Sequence, residues 1–367
     1  MGRKYTFPGG IHPQYYKELT NSIPIKRARV PAKVSIPLLQ HIGAPCAPQV
    51  KAADTVKAGT LLGASDKYVS AYVHSSVSGK VVSVGPSPHP ALGSAVSVTV
   101  ESDGRDDNTQ EEKTDAEVES LTPDDIKGIV RAGGIVGLGG AAFPTHVKLN
   151  PPSGKKISTF ILNGSECEPY LSCDHRLMLE RPKDIMKGAL LIMKAVGAGE
   201  GYIAIEDNKP DAIKAMKAAL NEAQCTMCDV RVVVLRTKYP QGGEKQLIKA
   251  ILNSEVPPGA LPLDKGCLVD NVGTALAIYE AVKYKKPLYE RAVTVVGDAI
   301  SKPANLLVRI GTPVSALIAE CGGLKKDLGK IIFGGPMMGF CECTDQAPVI
   351  KGTSGIILIS RQKTKIE

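Results

Sequence analysis

The chain has 367 residues, long enough for two or three domains with cores of their own. Hydrophobic residues at 43% and charged residues at 22% give a globular balance, while 4% aromatics and no Trp exclude a base-stacking platform for single-stranded nucleic acid. The formal charge of +8 is spread without a Lys/Arg block, so it permits attraction to an anionic surface and does not indicate nucleic acid.

Residues 1–100 read as a β-rich domain with a leading arm. From 30 to 100 the chain is rich in Val, Ser, Gly and Pro, and short alternating runs at 68–73 and 80–84 predict short strands. Segments 54–62 and 74–81 resemble half of a lipoyl/biotinyl-like barrel-sandwich. A carrier of that type presents a lysine at an exposed hairpin tip. Tyr72, Val73 and His74 occupy the region here, so covalent lipoylation or biotinylation is not expected. Residues 101–119 are acidic and poor in apolar side chains, which predicts a solvated linker.

From 120 to 288 helix and strand signals alternate. Thr122 is placed as an N-cap with Pro123 at the first helical position, opening a helix that includes 126–135. Apolar residues at three- and four-residue spacing predict helices over 182–196 and 210–222, and 157–162, 202–205 and 231–235 read as strands. Alternation of this kind predicts a partly parallel sheet covered by helices. Residues 289–345, with apolar runs at 292–296 and 331–333, read as a further small module, and 346–367 as a tail. No apolar run approaches a membrane span: the nearest, 188–199, is short and carries Lys194. The N-terminus lacks the apolar core of a signal peptide.

Four loop segments carry the chemistry. Gly137-Leu138-Gly139-Gly140-Ala141-Ala142-Phe143-Pro144-Thr145-His146-Val147-Lys148 combines Cβ-free backbone, which can approach a phosphate closely, with a lysine that can neutralise it. It lacks the Gly-Lys-Ser/Thr ending of a Walker A loop. Gly137-x-Gly139-x-x-Ala142 fits a loose dinucleotide fingerprint, but a helix precedes it and Pro144 follows it, so a tight packing turn reads equally well. Asn163-Gly164-Ser165-Glu166-Cys167-Glu168-Pro169 and Tyr239-Pro240-Gln241-Gly242-Gly243-Glu244-Lys245 each follow a strand-like run. Asp270-Asn271-Val272-Gly273-Thr274 opens a helix-like stretch. Loops at strand ends are where open α/β sheets place ligands.

Together these segments resemble the flavin-binding domain of the NADH-oxidising subunit of respiratory complex I, and more closely its relative, the RnfC family of the Rnf electron-transport complex. Phe7-Pro8-Gly9-Gly10-Ile11-His12-Pro13 and the run 237–248 are similar to that family in particular, and the resemblance extends from about residue 5 to 360. It implies a multidomain α/β fold: an N-terminal barrel-sandwich domain, a central flavin-binding domain and a C-terminal ubiquitin-like SLBB domain. It also implies noncovalent FMN that takes hydride from NADH. Gly137, Gly139, Gly140 and Lys148 would then line the flavin phosphate and ribityl chain, with Asn163, Ser165 and Glu166 near the ring or its chain. Gly242, Gly243 and Glu244 would close the site, Asn271 and Thr274 would hold the phosphate from the other side, and Phe143 and Glu168 would meet the dinucleotide. Ser165 stands where the complex I relatives have Asp, and Gly243 where they have a further acid, so the flavin side is the better defined. The cofactor does the redox chemistry, so no nucleophile or general base is required.

The resemblance further implies partners: the other subunits of a membrane-bound complex and a ferredoxin-like acceptor, with the chain peripheral to the cytoplasmic face. Members of the family continue into a ferredoxin-like module with two [4Fe–4S] clusters. This chain stops at Glu367 first, and truncation is the favoured explanation. Nine cysteines without dense spacing suit a reducing compartment. Cys225/Cys228 and Cys341/Cys343 would make one four-thiolate site only if folding joined them; free thiols are the expectation, and no histidine spacing suggests a metal. Two other readings stay open. One is a soluble electron carrier or a reductase linked to cobalamin or proline reductase; the other is a non-catalytic docking protein with a vestigial cleft.

Overall fold

Runs of Val and Ile alternate with amphipathic helices through the middle of the chain. In the computed structural model, which describes residues 4–223 and 228–364, they build one parallel sheet. Its strand order is Lys4–Tyr5, Asp229–Leu235, Glu200–Glu206, Thr159–Gly164, Cys267–Asn271. From Thr159–Gly164 the chain steps twice in one direction through helical crossovers, then returns to lay Cys267–Asn271 on the other side. At this reversal Thr159 lies opposite Cys267 and Asn163 opposite Asn271. Such a switch point opens a crevice beyond the carboxyl ends of the two strands.

The helices start where their sequence signals place them, although the first, read through 135, ends at Ala132 before Gly133 and Gly134. Pro123–Ala132 begins in a capping box: the Thr122 hydroxyl accepts the Asp125 N–H, and the Asp125 carboxylate accepts the Thr122 N–H at 2.8 Å. Pro182–Val196 has the bounds its periodicity predicts and stops at Gly197, whose φ of 70° is left-handed. It lies hard against the buried helix Val272–Tyr284, where a Cβ on Gly188 would come within 1.9 Å of the Ala275 carbonyl oxygen. The strand predicted over 157–162 forms two residues later.

The N-terminal domain pairs a four-stranded sheet (Lys33–Pro37, Gly93–Ser102, Gly79–His89, Thr55–Val56) with a three-stranded one (Ala47–Pro48, Leu61–Ala64, Val73–His74). The strand expected over 68–73 is confined to Val73–His74. Tyr68 and Val69 instead turn their carbonyls outward from a ladder, toward His146 Nε2 at 3.0 Å and the Ala44 N–H at 2.9 Å. Val73 and His74, where a carrier would present its lysine, are buried.

A six-stranded sheet forms the C-terminal unit, in the order Phe340–Glu342, Leu328–Phe333, Gly355–Ser360, Glu290–Val296, Ala304–Arg309, Ile25–Arg27. Sequence reading assigns 346–367 to a tail and the first residues to an arm. The structure draws the interior strand Gly355–Ser360 from the first and the edge strand Ile25–Arg27 from the second. The 101–119 segment is likewise strapped down rather than solvated throughout. Asp106 pairs with Arg309 at 2.6 Å, Asp107 and Thr109 bond Ala58, and Asp115–Ser120 is a capped helical turn and a half.

Lys351 ties the three units together. Its buried ammonium donates to the carbonyls of Tyr72 in the N-terminal domain, at 2.5 Å, and Gly134 in the central one, at 2.7 Å. Burial pushes it down from 10.5 to about 7. The unfolded chain therefore binds a proton that the folded chain sheds above about pH 7, and stability must rise with pH through this window. Thermal melts from pH 6.5 to 9.5 should show that rise, and Lys351→Met should flatten it.

Candidate functional site

The floor of the crevice is the 165–171 loop that leaves strand Thr159–Gly164, and two buried lysines hold it. Lys17, from a short turn of the N-terminal arm, donates to the carbonyls of Glu166 (2.7 Å), Glu168 (3.0 Å) and Leu171 (2.5 Å). Lys209 donates to the Ser165 carbonyl at 2.6 Å and to Asn208 Oδ1 at 2.9 Å, and pairs with Glu206 at 3.1 Å. Burial pulls Lys17 below the ordinary lysine range, while Glu166 draws it back. Between the lysines Glu166 takes a φ of 46°, a left-handed conformation that costs about 1–2 kcal/mol for a side-chain-bearing residue. That turn aims its carboxylate at the helix Cys173–Glu180, where it accepts the N–H of Asp174 at 2.7 Å and of His175 at 3.2 Å. The helix N-terminus is thus satisfied by Glu166, since Ser172 makes no side-chain cap.

The glycine loop forms the opposite wall. Leu138 N–H donates to Thr274 Oγ1 at 2.9 Å and Gly137 N–H to the Phe143 carbonyl at 2.9 Å. Gly139 leans on Asn271: a Cβ there would lie 3.4 Å from that of Asn271. Gly140 has a φ of 117° and open space where a Cβ would be, and 139–141 are exposed. Pro144 ends the loop as predicted, immediately before the turn Thr145–Lys148.

Asn163 and Asn271 stand side by side at the strand ends. Asn163 donates to the Gly242 carbonyl at 2.9 Å and accepts the Ser165 N–H at 3.1 Å. Asn271 caps the helix Val272–Tyr284 through the Gly273 N–H at 2.8 Å and donates to Asp174 at 2.6 Å. Gly242 comes so close that a Cβ would be 3.2 Å from Cys167 Sγ, which accepts its N–H. Gly243 precedes the helix Glu244–Leu252. Lys148 completes the site, donating to Glu244 at 2.9 Å and to the Val269 carbonyl, and pairing with Asp270 at 3.3 Å. The residues named from sequence, Gly137, Gly139, Gly140, Lys148, Asn163, Ser165, Glu166, Gly242, Gly243, Glu244, Asn271 and Thr274, therefore lie together at the strand ends. Glu168 is turned away from it: its carboxylate accepts the Met337 N–H of the C-terminal domain at 3.0 Å.

Carboxylates dominate the electrostatics here. Lys148 is shared by two carboxylates, so the cluster is net negative. Burial raises Asp270 while Lys148 draws it down; Asp270 and Glu244, against burial, hold Lys148 above the ordinary lysine range. Asp174 is pushed up to about 7 by burial and by the adjacent Glu166 carboxylate. Burial also pushes Cys167 up to about 11 and Cys173 well above the ordinary thiol range, so neither supplies a thiolate nucleophile near neutral pH. Ser165 Oγ, Asp270 Oδ2 and the Gln241 amide are buried with no partner in the protein. Glu166, Cys173 and Asp174 place ligand atoms within 4.8 Å of one another, but both Glu166 oxygens are taken by N–H groups and Cys173 donates to the Ser354 carbonyl at 3.3 Å. Cys225 of the predicted thiol pair lies outside the described residues; Cys341 and Cys343 are exposed.

Lys17, Lys209, Asp174 and Asp270 are not among the site residues expected from the sequence. Asp270 had a signal, its place immediately before Asn271. Lys17 had none, since it acts 149 residues away on main-chain oxygens.

Comparison with known proteins gives consistent matches along the chain. The RnfC barrel sandwich hybrid domain matches residues 5–105, the Nuo51 FMN-binding domain 130–280 and the SLBB domain 292–340. The chain is 48% identical over 356 residues to the C subunit of the proton-translocating ferredoxin:NAD(+) oxidoreductase complex of Clostridium ljungdahlii, covering 97% of this chain and 77% of that one. The Na(+)-translocating counterpart of Acetobacterium woodii is 48% identical over 362 residues, covering 98% and 81%. The C subunit of the ion-translocating oxidoreductase complex of Rhodobacter capsulatus is 42% identical over 364 residues, covering 99% and 69%. Among solved structures, an NAD+-reducing [NiFe]-hydrogenase superposes with a TM-score of 0.58 at 19% identity, over 67% of this chain and 48% of that chain. That likeness is one of fold, and this chain spans about half of the hydrogenase chain.

Removing the Lys17 ammonium takes the donor from three carbonyls, that of Leu171 in a buried bond. Lys17→Met should destabilise the protein by about 3 kcal/mol, read as a fall of several degrees in melting temperature. Lys26→Met, at an exposed edge, should leave it unmoved. An unchanged melt for Lys17→Met would contradict the account of the loop.

Proposed function

The chain belongs to the RnfC family, the C subunits of Rnf-type ferredoxin:NAD(+) oxidoreductase complexes, and on that premise we propose that it binds FMN noncovalently in the crevice at the switch point and oxidises NADH there. The observation that carries this reading is the convergence of four separate loops, 137–142, 163–166, 242–244 and 270–274, on the carboxyl ends of Thr159–Gly164 and Cys267–Asn271.

The residues present suit that cofactor. Cβ-free backbone at Gly139, Gly140 and Gly242, with open space beside Gly140, suits close approach of a flat ring or a phosphate. The orphaned Ser165 hydroxyl, Asp270 oxygen and Gln241 amide are the partners a polyhydroxylated chain needs. The net-negative Lys148–Asp270–Glu244 cluster is better matched to ribityl hydroxyls than to phosphate. Phosphate is assigned to the exposed glycine loop and the N-terminus of the helix Val272–Tyr284, where Asn271 and Thr274 sit. Bound FMN would accept hydride and release single electrons, the step that allows a two-electron donor to feed one-electron clusters. The protein's own part is to orient and tune. Asn163 and Asn271 fix the strand ends, Glu166 and Asp174 supply acidic groups under the site, and Phe143 contributes an aromatic surface on the nicotinamide side.

Partners follow from the same reading. Other subunits of a membrane-bound complex and a ferredoxin-like acceptor would receive the electrons through iron–sulfur clusters, with this chain peripheral to the cytoplasmic face. Among the described residues, no helix is long and apolar enough to cross a membrane.

Glu244 is a fair probe because its side chain is nearly half exposed and folding does not rest on it. Glu244→Gln should leave the melting temperature within a degree or two and weaken FMN binding about three- to tenfold, a loss of up to about 1.4 kcal/mol, measured by fluorescence titration. An unaltered affinity would remove the Lys148 cluster from the flavin site.

A further inference from the structure

The run Phe7-Pro8-Gly9-Gly10-Ile11-His12-Pro13 stands out in the sequence, yet it supplies no group to the crevice. The structure lays it against 236–239. Ile11 and Tyr239 exchange backbone hydrogen bonds, both at 2.8 Å, and a Cβ on Gly10 would lie 2.9 Å from the Tyr239 carbonyl oxygen. Between the two segments is a cavity of about 390 Å³, lined by Gly9, His12, Asp207, Arg236 and Lys238 among others. Its walls come from the residues that follow three parallel strands, Lys4–Tyr5, Glu200–Glu206 and Asp229–Leu235, so it opens on the same edge of the sheet as the crevice. At a strand spacing of about 4.8 Å it lies roughly 12 Å from the switch point, apart from the groups that line the crevice.

The charges around this cavity do not balance. Lys238 is buried, its ammonium 3.8 Å from the centroid of the Phe7 ring and donating to the carbonyls of Phe7 and Gly9, the latter at 2.8 Å. Those bonds satisfy its donors and leave its charge without a carboxylate. Burial pulls it below the ordinary lysine range, and the Arg236 guanidinium pulls it further. Arg236 itself has no ion pair and no side-chain hydrogen bond among the described residues. The acid on the rim, Asp207, is already engaged: it pairs with Lys4 at 2.7 Å and accepts the Thr237 N–H at 3.0 Å and hydroxyl at 2.6 Å. Gly9 and Gly10, at φ of 80° and 89°, have backbone N–H groups with no acceptor among the described residues. Two cations kept together against their repulsion, beside free N–H groups, make a concavity that an anion completes.

We propose that this cavity binds the phosphate group of a small molecule, held by Arg236, His12 and the backbone N–H groups of Gly9 and Gly10. The planar fork of an arginine matches two phosphate oxygens. Lys238 adds its charge from within the wall while its own donors hold the glycine turn in place. Free oxyanions and nucleotides carry the same recognised group. The site requires no flavin and stands apart from that reading.

The test titrates the full chain with inorganic phosphate, pyrophosphate and ADP by calorimetry, and follows hydrogen exchange by mass spectrometry with and without pyrophosphate. Arg236→Met, whose side chain has no partner to lose, should weaken pyrophosphate binding at least about tenfold, and Arg231→Met, at the far end of the same strand, should leave it within about twofold. Asp207→Asn keeps an acceptor for Thr237 and removes the negative charge, so it should tighten binding about two- to threefold. Pyrophosphate should slow exchange across 6–12. ADP bound at least about fivefold more tightly than phosphate would identify a nucleotide as the source, and equal affinity a free oxyanion. Binding that Arg236→Met leaves unchanged, protection confined to the glycine loop 137–142, or no binding of any probe at about 10 mM would overturn the proposal.

Discussion

Two buried ammonium groups hold the 165–171 loop, and nearly everything at the crevice depends on them. Lys17 comes from the N-terminal arm and Lys209 from the turn after strand Glu200–Glu206, and between them they satisfy the carbonyls of Ser165, Glu166, Glu168 and Leu171. A loop of irregular backbone can be buried only if such oxygens find donors. With them satisfied, Glu166 can be kept left-handed, and its carboxylate can cap the next helix. The far end of the loop is locked by a polar knot. Ser172 bonds Thr20, Asn305 and Thr294, and Asn305 also donates to the carbonyls of Thr20 and Ile23. Arm, central domain and C-terminal sheet therefore meet at one loop.

The same economy recurs between domains. Lys351 serves carbonyls in the other two units, and Arg291, buried at the start of the C-terminal sheet, donates to the Leu138 carbonyl of the glycine loop at 3.3 Å. These cations answer main-chain oxygens more than carboxylates, which leaves the acidic groups near the crevice undercompensated. Asp174 beside Glu166, and Asp270 with Glu244 around a single lysine, give the site a negative bias. A bound ring that gains negative charge would be disfavoured there.

How much of this is legible in the sequence follows from where the information lies. The glycine loop, Asn163, Gly242 and Asn271 stand out as contiguous loop runs at strand ends, but their grouping at one place is given by the resemblance and not by any one run, since the glycine loop alone reads equally well as a packing turn. Capping at Thr122 and the bounds of Pro182–Val196 are legible because each is set by one local task within a contiguous run. Lys17 and Lys209 are not, because their acceptors are backbone carbonyls, which every residue type supplies. The strand Gly355–Ser360 is apolar enough to suggest burial, but its place between Leu328–Phe333 and Glu290–Val296 is a matter of topology. The outward turn of Glu168 depends on a contact 169 residues away. The acidity of 101–119 conceals its anchors, since Asp106 is exposed in composition and paired in the fold.

The central claim is that NADH reduces a flavin held in the crevice by this chain alone. The most direct measurement is the absorbance spectrum of the purified chain after loading with FMN and desalting, recorded before and after NADH is added without oxygen. The account predicts that flavin is retained and that its visible absorbance bleaches on addition of NADH. Flavin that is retained but stays oxidised in excess NADH would contradict it.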